Sequence, residues 1–265
     1  MIFKDISDCL SQLRLRFGEE SVAAWAEERD IGQETLCEIL SFLKEVSKKK
    51  DSDAEAFLRK TSRLPSSSVR SFSNFDFTPF GDDARRELCA LASLSFLSTG
   101  RNVVFIGPTG VGKTHLAQAI GGEACKSRVK TYYTTLYELD QRMTMAIKNS
   151  KTQQWMNGMT MAKCLIIDEF SNCHLGKANT ELFFHLVNTR YGSDKPGAMI
   201  LTSNNRPSAW KDLFTGEDLA ECIIDRILDK AIRFDLNGPS YRGKEKTVFR
   251  YGAVETGVST VKKIR

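Results

Sequence analysis

Long apolar runs, paired cysteines and histidines are all scarce in this sequence. The longest apolar stretches, such as Val103–Ile106, contain only a few residues, whereas a helix needs about 20 to span a bilayer. The first ten residues include two acidic side chains, where a signal peptide needs an apolar segment. These absences exclude a membrane-spanning protein, argue against secretion and predict a cytoplasmic location.

The cysteines and histidines do not form a recognisable metal or disulfide pattern. Seven cysteines are scattered along the chain, and no two of them form a C-x-x-C pair. A disulfide scaffold or a structural zinc site would require closer grouping, so we expect free thiols in a reducing compartment. The only histidines are His115, His174 and His185. Cys173 beside His174 therefore does not predict a metal site.

Length and composition indicate an ordinary globular protein. The 265 residues are 41% hydrophobic and 27% charged, which excludes a disordered chain, a collagen and a coiled-coil rod. The length fits one large domain or a domain with an appendage.

The positive charge is concentrated at the end of the chain. The net charge is +5, and the same surplus is found from Ser240 onward, where seven basic residues face two acidic ones. Such a tail is compatible with contact to a polyanion, and equally with a solvated segment.

The first 62 residues have helical periodicity. Leu36, Leu40 and Leu43 lie on one apolar stripe, which the charged run from Lys48 to Asp53 interrupts. Pro65 and three serines then indicate a linker. We therefore divide the chain into a helical partner-binding segment (1–62), a linker (63–73), a main domain (74–242) and a basic tail (243–265).

The main domain alternates short apolar strands with helical stretches. The predicted strands are Asn102 to Ile106, Val129 to Thr134, Cys164 to Ile167, Ala198 to Thr202 and Ala231 to Leu236. This alternation predicts an α/β fold with a parallel sheet covered on both faces. In such sheets, ligands bind at the carboxyl ends of the strands.

A glycine-rich loop directly follows the first predicted strand. It reads Gly107-Pro108-Thr109-Gly110-Val111-Gly112-Lys113-Thr114 and matches G-x-x-x-x-G-K-[ST], the Walker A or P-loop motif, whose backbone N–H groups surround phosphates. The helix that starts at Lys113 adds its positive dipole end. Lys113 should bridge the β- and γ-phosphates, and the Thr114 hydroxyl should bind Mg²⁺. The motif predicts an ATP site of the P-loop NTPase type.

Acidic and amide side chains follow two further strands. Asp168 and Glu169 end the third strand in the manner of a Walker B motif, where Asp168 suits Mg²⁺ and Glu169 suits a general base for water. Asn204 ends the fourth strand. From residue type alone, Asn204 either contacts the γ-phosphate and the attacking water or simply forms a turn.

Two groups of basic residues have functional and ordinary interpretations. Arg226 and Arg242 could neutralise charge on a transferring phosphoryl group, or they could form surface ion pairs. Arg142, Lys148 and Lys151 could contact DNA phosphates, or they could belong to a solvated helix face.

The ordered motifs together resemble the IstB-like transposition helper ATPases, AAA+ proteins that are similar to the DnaC helicase loaders. The matching segments are Phe75-Asp76-Phe77, Asn102 through Ala117, Leu165 through Glu169, Asn188 through Tyr191, Thr202-Ser203-Asn204, Asp225-Arg226-Ile227 and Gly238 through Arg242. They span most of the main domain.

The resemblance implies a five-stranded parallel sheet of order 5-1-4-3-2. It implies that His115 lies with the nucleotide-binding residues, that Asn204 is the sensor-1 residue, and that Arg226 is an arginine finger acting on ATP in the next subunit. Arg242 resembles a sensor-2 residue. The resemblance further implies a ring or spiral of identical subunits that binds double-stranded DNA and regulates a transposase.

Other functions fit part of this pattern. A DnaC-like loader would use the same ATPase core and bind a replicative helicase through residues 1–62. A nucleotide-gated DNA-binding module would bind ATP with little turnover, although Glu169 argues against it. A small-molecule kinase is disfavoured because no acceptor pocket or lid is evident.

Overall fold

The structure is a computed structural model that describes residues 1–66, 69–193 and 197–241. In these residues the α-helices are α1 (Ile2–Gln12), α2 (Glu19–Glu28), α3 (Gln33–Ser62), α4 (Gly81–Ala90), α5 (Ser95–Ser98), α6 (Lys113–Lys126), α7 (Leu136–Lys148), α8 (Thr152–Met161), α9 (Lys177–Tyr191) and α10 (Glu217–Leu228). The strands are β1 (Val103–Ile106), β2 (Thr131–Thr135), β3 (Cys164–Asp168), β4 (Ala198–Ser203) and β5 (Ile232–Asp235). Short 3₁₀ helices span Phe72–Asn74, Thr78–Phe80, Leu91–Ser93 and Pro207–Leu213.

The five strands form one parallel sheet of order β2-β3-β4-β1-β5. This is the order 5-1-4-3-2 read from the other edge, so the predicted topology is confirmed. The helices that connect parallel strands must cross over the sheet, which explains why β1 and β3 are buried along their whole length.

Successive residues of β1 contribute to two hydrophobic cores on opposite faces of the sheet. Val104 belongs to the core under α7, α9 and α10, whereas Phe105 belongs to the core under α4 and α6. This alternation follows from the two-residue period of a strand. The two cores together hold the sheet in place, and with it the carboxyl ends of the strands.

Two polar side chains, one buried and one half-buried, join the elements at the opposite edge of the sheet. Asn102, directly before β1, donates to the Ile227 carbonyl at 2.8 Å and accepts from the Met199 N–H at 2.9 Å. The guanidinium of Arg190 donates to the Ala162 and Met159 carbonyls at 2.8 and 3.1 Å. Desolvation lowers the pKa of Arg190 to about 10, so Arg190 still carries its charge at neutral pH. The Asn188–Tyr191 motif therefore has a structural role.

The N-terminal helices have a small core of their own, which includes Ile6, Val22 and Leu36. Helix α3 continues without a break through the charged run that interrupts its apolar stripe. Lysine is a good helix former, and here Lys50 donates to the Leu13 carbonyl at 2.8 Å. The second half of α3 packs against α6 and β2. No helix in the described ranges is both long and apolar enough to cross a membrane.

Candidate functional site

A cavity of about 450 Å³ lies at the carboxyl ends of β1, β3 and β4. The predicted phosphate loop, Glu169 and Asn204 line it on one side, and five residues of the segment 69–76 line it on the other: Val69, Arg70, Asn74, Phe75 and Asp76. This is the edge at which parallel α/β sheets bind ligands. The structure therefore brings the separate sequence motifs into one site.

The loop between β1 and α6 has the conformation that its glycines allow. Gly110 and Gly112 have φ angles of 91° and 97°, a region that other residues rarely adopt. A Cβ atom on Gly112 would also collide with the Phe75 ring. Val111 is buried in the core below. The loop is thus fixed at its base, and Gly110, Gly112 and Lys113 line the cavity.

Lys113 is the buried cation of the site, with 7% of its surface exposed. Its Nζ atom donates to the carbonyl oxygens of Gly107 and Pro108 at 2.6 and 2.8 Å, and to Oδ1 of Asn204 at 2.7 Å. These three acceptors take all three ammonium hydrogens and hold the group at the end of the loop, where a phosphate oxygen would replace one of them. Gly107 and Pro108 thus contribute through their carbonyl groups, which accept from Lys113, and they do not line the cavity.

Asp168 is almost completely buried and accepts three hydroxyl hydrogen bonds. Thr114 donates to its Oδ1 atom at 3.0 Å, Thr202 donates to the same oxygen, and Tyr133 donates to its Oδ2 atom at 2.6 Å. Burial first, and then the negative charge of Asp168, raise the pKa of Tyr133, so the phenol keeps its proton. The Thr114 hydroxyl and the Asp168 carboxylate are the hard oxygen ligands that Mg²⁺ prefers.

Glu169 has a left-handed backbone, with a φ angle of 54°. Its N–H donates to the Thr202 hydroxyl at 3.1 Å, and its exposed side chain lines the cavity. Left-handed backbone is unfavourable for glutamate, and such strain is concentrated at functional sites. Within the described residues, the carboxylate forms no hydrogen bond, so it is available to a water molecule.

His115 connects the phosphate-loop helix to the opposite wall of the cavity. Its Nε2 atom lies 3.0 Å from the Ser71 carbonyl and 2.9 Å from Oδ1 of Asn74. Because a carbonyl can only accept, Nε2 carries the proton. Burial, aided by the charge of Arg70, lowers the pKa of His115 despite the bond to Ser71. A neutral imidazole therefore holds this wall.

The segment after β5 closes over the phosphate loop. The Tyr241 N–H donates to the Gly110 carbonyl at 2.9 Å, and its hydroxyl donates to the Asp76 carbonyl at 2.6 Å. Tyr241 thus joins the loop to the wall that His115 holds. The predicted sensor-2 residue Arg242 and the basic tail 243–265 lie outside the described residues.

Arg226 lies away from the cavity of its own chain. It occupies the last turn of α10, where its guanidinium stacks 5.2 Å from the centre of the Phe184 ring and donates to the Cys222 carbonyl. The helix ends two residues before Lys230, whose carbonyl accepts from Arg101, two residues before β1. Arg226 therefore lies at the end of the sheet opposite the phosphate loop, away from the cavity of its own chain.

The three predicted DNA contacts lie on two sides of α7. Arg142 and Lys151 line one cavity together with Tyr132 and Trp155, whereas Lys148 lines a separate cavity near Lys177. Arg142 donates to the Tyr132 hydroxyl at 3.0 Å, and Arg63 donates to the same oxygen at 3.3 Å. The first cavity is thus a place where cationic groups converge.

The remaining histidine and cysteine residues do not form a metal site. His174 bonds to the Asp212 carbonyl and the Thr215 hydroxyl. No group of three metal-ligating side chains occurs in the described part of the chain. All seven cysteines are free thiols in this structure.

A family model for IstB-like ATP binding proteins matches residues 10–248. The chain belongs to this family. An insertion sequence IS21 ATP-binding protein from Pseudomonas aeruginosa is 34% identical over 187 residues, which cover 71% of this chain and 69% of the relative. The IstB-like resemblance read from the sequence is therefore confirmed.

Solved structures similar to this IstB-like protein include DnaA from Aquifex aeolicus bound to AMPPCP, with a TM-score of 0.54 and 22% identity. The match covers 66% of this chain and 51% of that DnaA chain, so this chain spans about half of it. The DnaC helicase loader matches with a TM-score of 0.53 and 18% identity, over 63% of this chain and 97% of the loader. At these identities the likeness shows the AAA+ fold alone.

Sequence reasoning missed several residues of this IstB-like site. Val69 and Arg70, which were predicted to belong to a linker, line the cavity, as does Tyr241. The signals available were the Phe75-Asp76-Phe77 and Ser-Tyr-Arg segments, which carried the resemblance but suggested no contact. Tyr133 had no sequence signal at all.

Proposed function

We propose that this IstB-like protein is an ATP-dependent helper of transposition. It binds and hydrolyses ATP with Mg²⁺, assembles as a homo-oligomer on double-stranded DNA, and regulates the transposase of the same element. The observation that carries this proposal is the convergence of Lys113, Glu169 and Asn204 on one cavity, where Asp168 accepts from the lining residue Thr114, in a chain related to insertion-sequence ATP-binding proteins.

ATP binds with its phosphates against the N–H groups of residues 107–114. Lys113 contacts the β- and γ-phosphates, and its place beside Asn204 sets the direction of the ammonium. Residues 69–76 and His115 enclose the rest of the nucleotide, because they form the opposite wall of the cavity. Neutral His115 adds no charge to this wall.

The metal site consists of Thr114 and Asp168. The Thr114 oxygen can bind the cation directly while its hydrogen stays on Asp168, since a hydroxyl both donates and accepts. A bound Mg²⁺ would neutralise charge on the β- and γ-phosphates. Asp168 would then bind the water molecules around the cation from the buried side of the site.

Glu169 is the general base for the attacking water. Its carboxylate lines the cavity next to Asn204 and is not engaged in a hydrogen bond with the described residues. A carboxylate in this position takes the water proton as the phosphorus–oxygen bond forms. Asn204 orients the Lys113 ammonium and the attacking water, which is the sensor-1 role that the family resemblance gives it.

Arg226 completes the site of a neighbouring subunit. It lies on the edge of the sheet opposite its own phosphate loop, and an arginine that neutralises phosphoryl charge must reach the γ-phosphate. Both conditions are met only when subunits stack head to tail, and such contacts generate rings or open spirals. Hydrolysis therefore depends on assembly.

The DNA-binding surface includes the cavity between α7 and α8. Arg142 and Lys151 line this cavity together with Glu138, and Arg63 adds a third cation through its bond to the Tyr132 hydroxyl. In the described residues neither arginine forms an ion pair with a carboxylate. Phosphate oxygens would replace the Tyr132 hydroxyl as acceptors for the guanidinium groups. Lys148 and the tail 243–265 are further proposed contacts on other parts of the chain.

The N-terminal helices form the partner-binding segment. Trp25 and Phe42 expose large parts of their side chains on α2 and α3, at 39% and 65%, and aromatic side chains are enriched in protein interfaces. The helicase-loader alternative uses the same segment, and the fold likeness to DnaC does not favour it over the insertion-sequence relatives, which are much closer in sequence.

The test compares ATP and ADP in assembly on duplex DNA. We expect the purified chain to form large complexes on duplex DNA with ATP and Mg²⁺, and small or no complexes with ADP, by analytical ultracentrifugation. A pull-down with the transposase encoded beside this gene should succeed, whereas the host replicative helicase should not bind. Capture of the helicase alone would establish the loader function instead.

A further inference from the structure

Strand β2 carries two adjacent tyrosines that face opposite sides of the sheet. Tyr132 packs against the core under α7 and contacts Arg63 and Arg142. Tyr133 packs against the core under α6, and its hydroxyl donates to Oδ2 of Asp168 at 2.6 Å. The parallel register explains this reach, because Tyr133 lies beside Ile166 on β3, two residues before Asp168.

Tyr133 is itself held in place by the helix of the phosphate loop. The side-chain amide of Gln118 on α6, which is 6% exposed, donates to the Tyr133 hydroxyl at 3.2 Å. The phenol then has one acceptor, Asp168, for its only hydrogen. Gln118, Tyr133 and Asp168 form a chain of hydrogen bonds from α6 through the edge strand to the end of β3.

The two oxygens of the Asp168 carboxylate accept hydrogen bonds from different parts of the fold. Oδ1 faces the phosphate loop and accepts from Thr114 and Thr202, while Oδ2 accepts from Tyr133. Without a donor at Oδ2, the carboxylate can rotate about its last bond, because that torsion is broad in aspartate. The side-chain torsion of Asp168 is therefore set from both oxygens.

We propose that Tyr133 is a positioning residue for the magnesium site, which directs Oδ1 of Asp168 toward Thr114 and the hydrated cation. This inference rests on the proposed function, because it concerns the same ATP site. Tyr133 acts only through Asp168. Groups that orient a metal ligand in this way typically contribute about 10- to 100-fold to metal affinity.

The decisive variant is Tyr133→Phe, which removes one oxygen and keeps the ring in the core. The matched control is Tyr132→Phe, the same change one residue earlier and on the other face of the sheet. The binding of a fluorescent ATP analogue is measured without Mg²⁺ and across a Mg²⁺ titration, and the ATPase rate is measured over the same titration.

We expect the Tyr133→Phe protein to bind the analogue as the parent does when Mg²⁺ is absent. The Mg²⁺ concentration for half of the full gain in affinity should rise about tenfold, and the ATPase rate should approach that of the parent at saturating Mg²⁺. In analogue binding, which is measured without DNA, Tyr132→Phe should follow the parent curve, because its hydroxyl contacts Arg63 and Arg142 and not Asp168. A Gln118→Met variant should shift the curve in the same direction by a smaller factor.

Three outcomes would overturn the inference. Identical Mg²⁺ curves for Tyr133→Phe and the parent would show that the phenol does not position Asp168. Equal shifts in both tyrosine variants would show a general effect on β2. A lower affinity without Mg²⁺, or a rate that stays low at saturating Mg²⁺, would give Tyr133 a different role. A parent that binds no ATP would instead refute the proposed function itself.

Discussion

The ammonium of Lys113 lies 2.7 Å from the side-chain oxygen of Asn204, so the phosphate loop and the end of β4 are joined by a direct hydrogen bond. Replacing Asn204 with Ala removes this bond and the amide that faces the reacting phosphate. We expect ATP affinity to change little and the hydrolysis rate to fall about 100-fold, the effect of losing one preorganised polar group. Nucleotide binding and phosphate release measure the two quantities.

Asn205→Ala is the control for this change. Asn205 is the next residue, and it contributes its backbone carbonyl to the Trp210 indole N–H, a bond that the substitution retains. An equal loss of rate in both variants would contradict the sensor role of Asn204.

Glu169→Gln tests the general base. The amide keeps the size and position of the side chain but takes no proton from water, so ATP binding should persist while hydrolysis falls by about 100-fold or more. The variant should accumulate as the ATP-bound oligomer on duplex DNA. Turnover equal to that of the parent would eliminate this residue as the base, and a parent with little turnover of its own would support the nucleotide-gated DNA-binding module.

Mixing two inactive variants tests action between subunits. Lys113→Ala should lose ATP binding, and Arg226→Ala should retain binding and lose hydrolysis. In mixed oligomers, a Lys113→Ala subunit still offers Arg226 to a neighbour whose phosphate loop is intact, so a part of the parent rate should return. Arg233→Ala, which breaks a surface pair with Asp235, should leave the rate unchanged. Both variants must be folded and able to exchange subunits, and the absence of any recovery would then argue against hydrolysis in trans.

The salt dependence of DNA binding tests the cavity between α7 and α8. Arg142→Ala and Lys151→Ala should each weaken binding, and the slope of log affinity against log salt should fall by about 0.9 for every DNA phosphate that the variant no longer neutralises. Lys126→Ala is the control, because this lysine lies on α6 and pairs with Glu123. Unchanged slopes in both cavity variants would place the DNA elsewhere, and Lys148→Ala then examines the other side of α7.

Much of the fold could be predicted from the sequence because its signals are local. The five strands lie within two residues of their predicted bounds, since short apolar runs between helical stretches have few alternatives. The phosphate loop followed from a motif whose glycines and lysine have definite physical roles. The strand order came from the family resemblance, because alternation alone does not say which strands are neighbours.

The features that the sequence did not predict depend on long-range contacts. The charged run from Lys48 to Asp53 interrupts an apolar stripe, yet α3 continues through it because one face of that turn is solvated and another is held by Leu13. Residues 69–73 fell within the predicted linker because their partners lie far along the chain: His115, which contacts the Ser71 carbonyl, is 44 residues away. The bond from Tyr133 to Asp168 requires the register between β2 and β3, which the sequence does not state.

Helix α3 connects events at the two ends of the molecule. At 1.5 Å per residue, its 30 residues form a rod about 45 Å long. One end belongs to the N-terminal core, and the other packs on α6, the helix that begins at Lys113. Because the rod is unbroken, its ends cannot tilt separately. A protein that binds the first helices is therefore connected through α3 to α6, the helix that carries the phosphate-binding lysine. The proposed nucleotide turnover and partner binding thus depend on the same helix, α3.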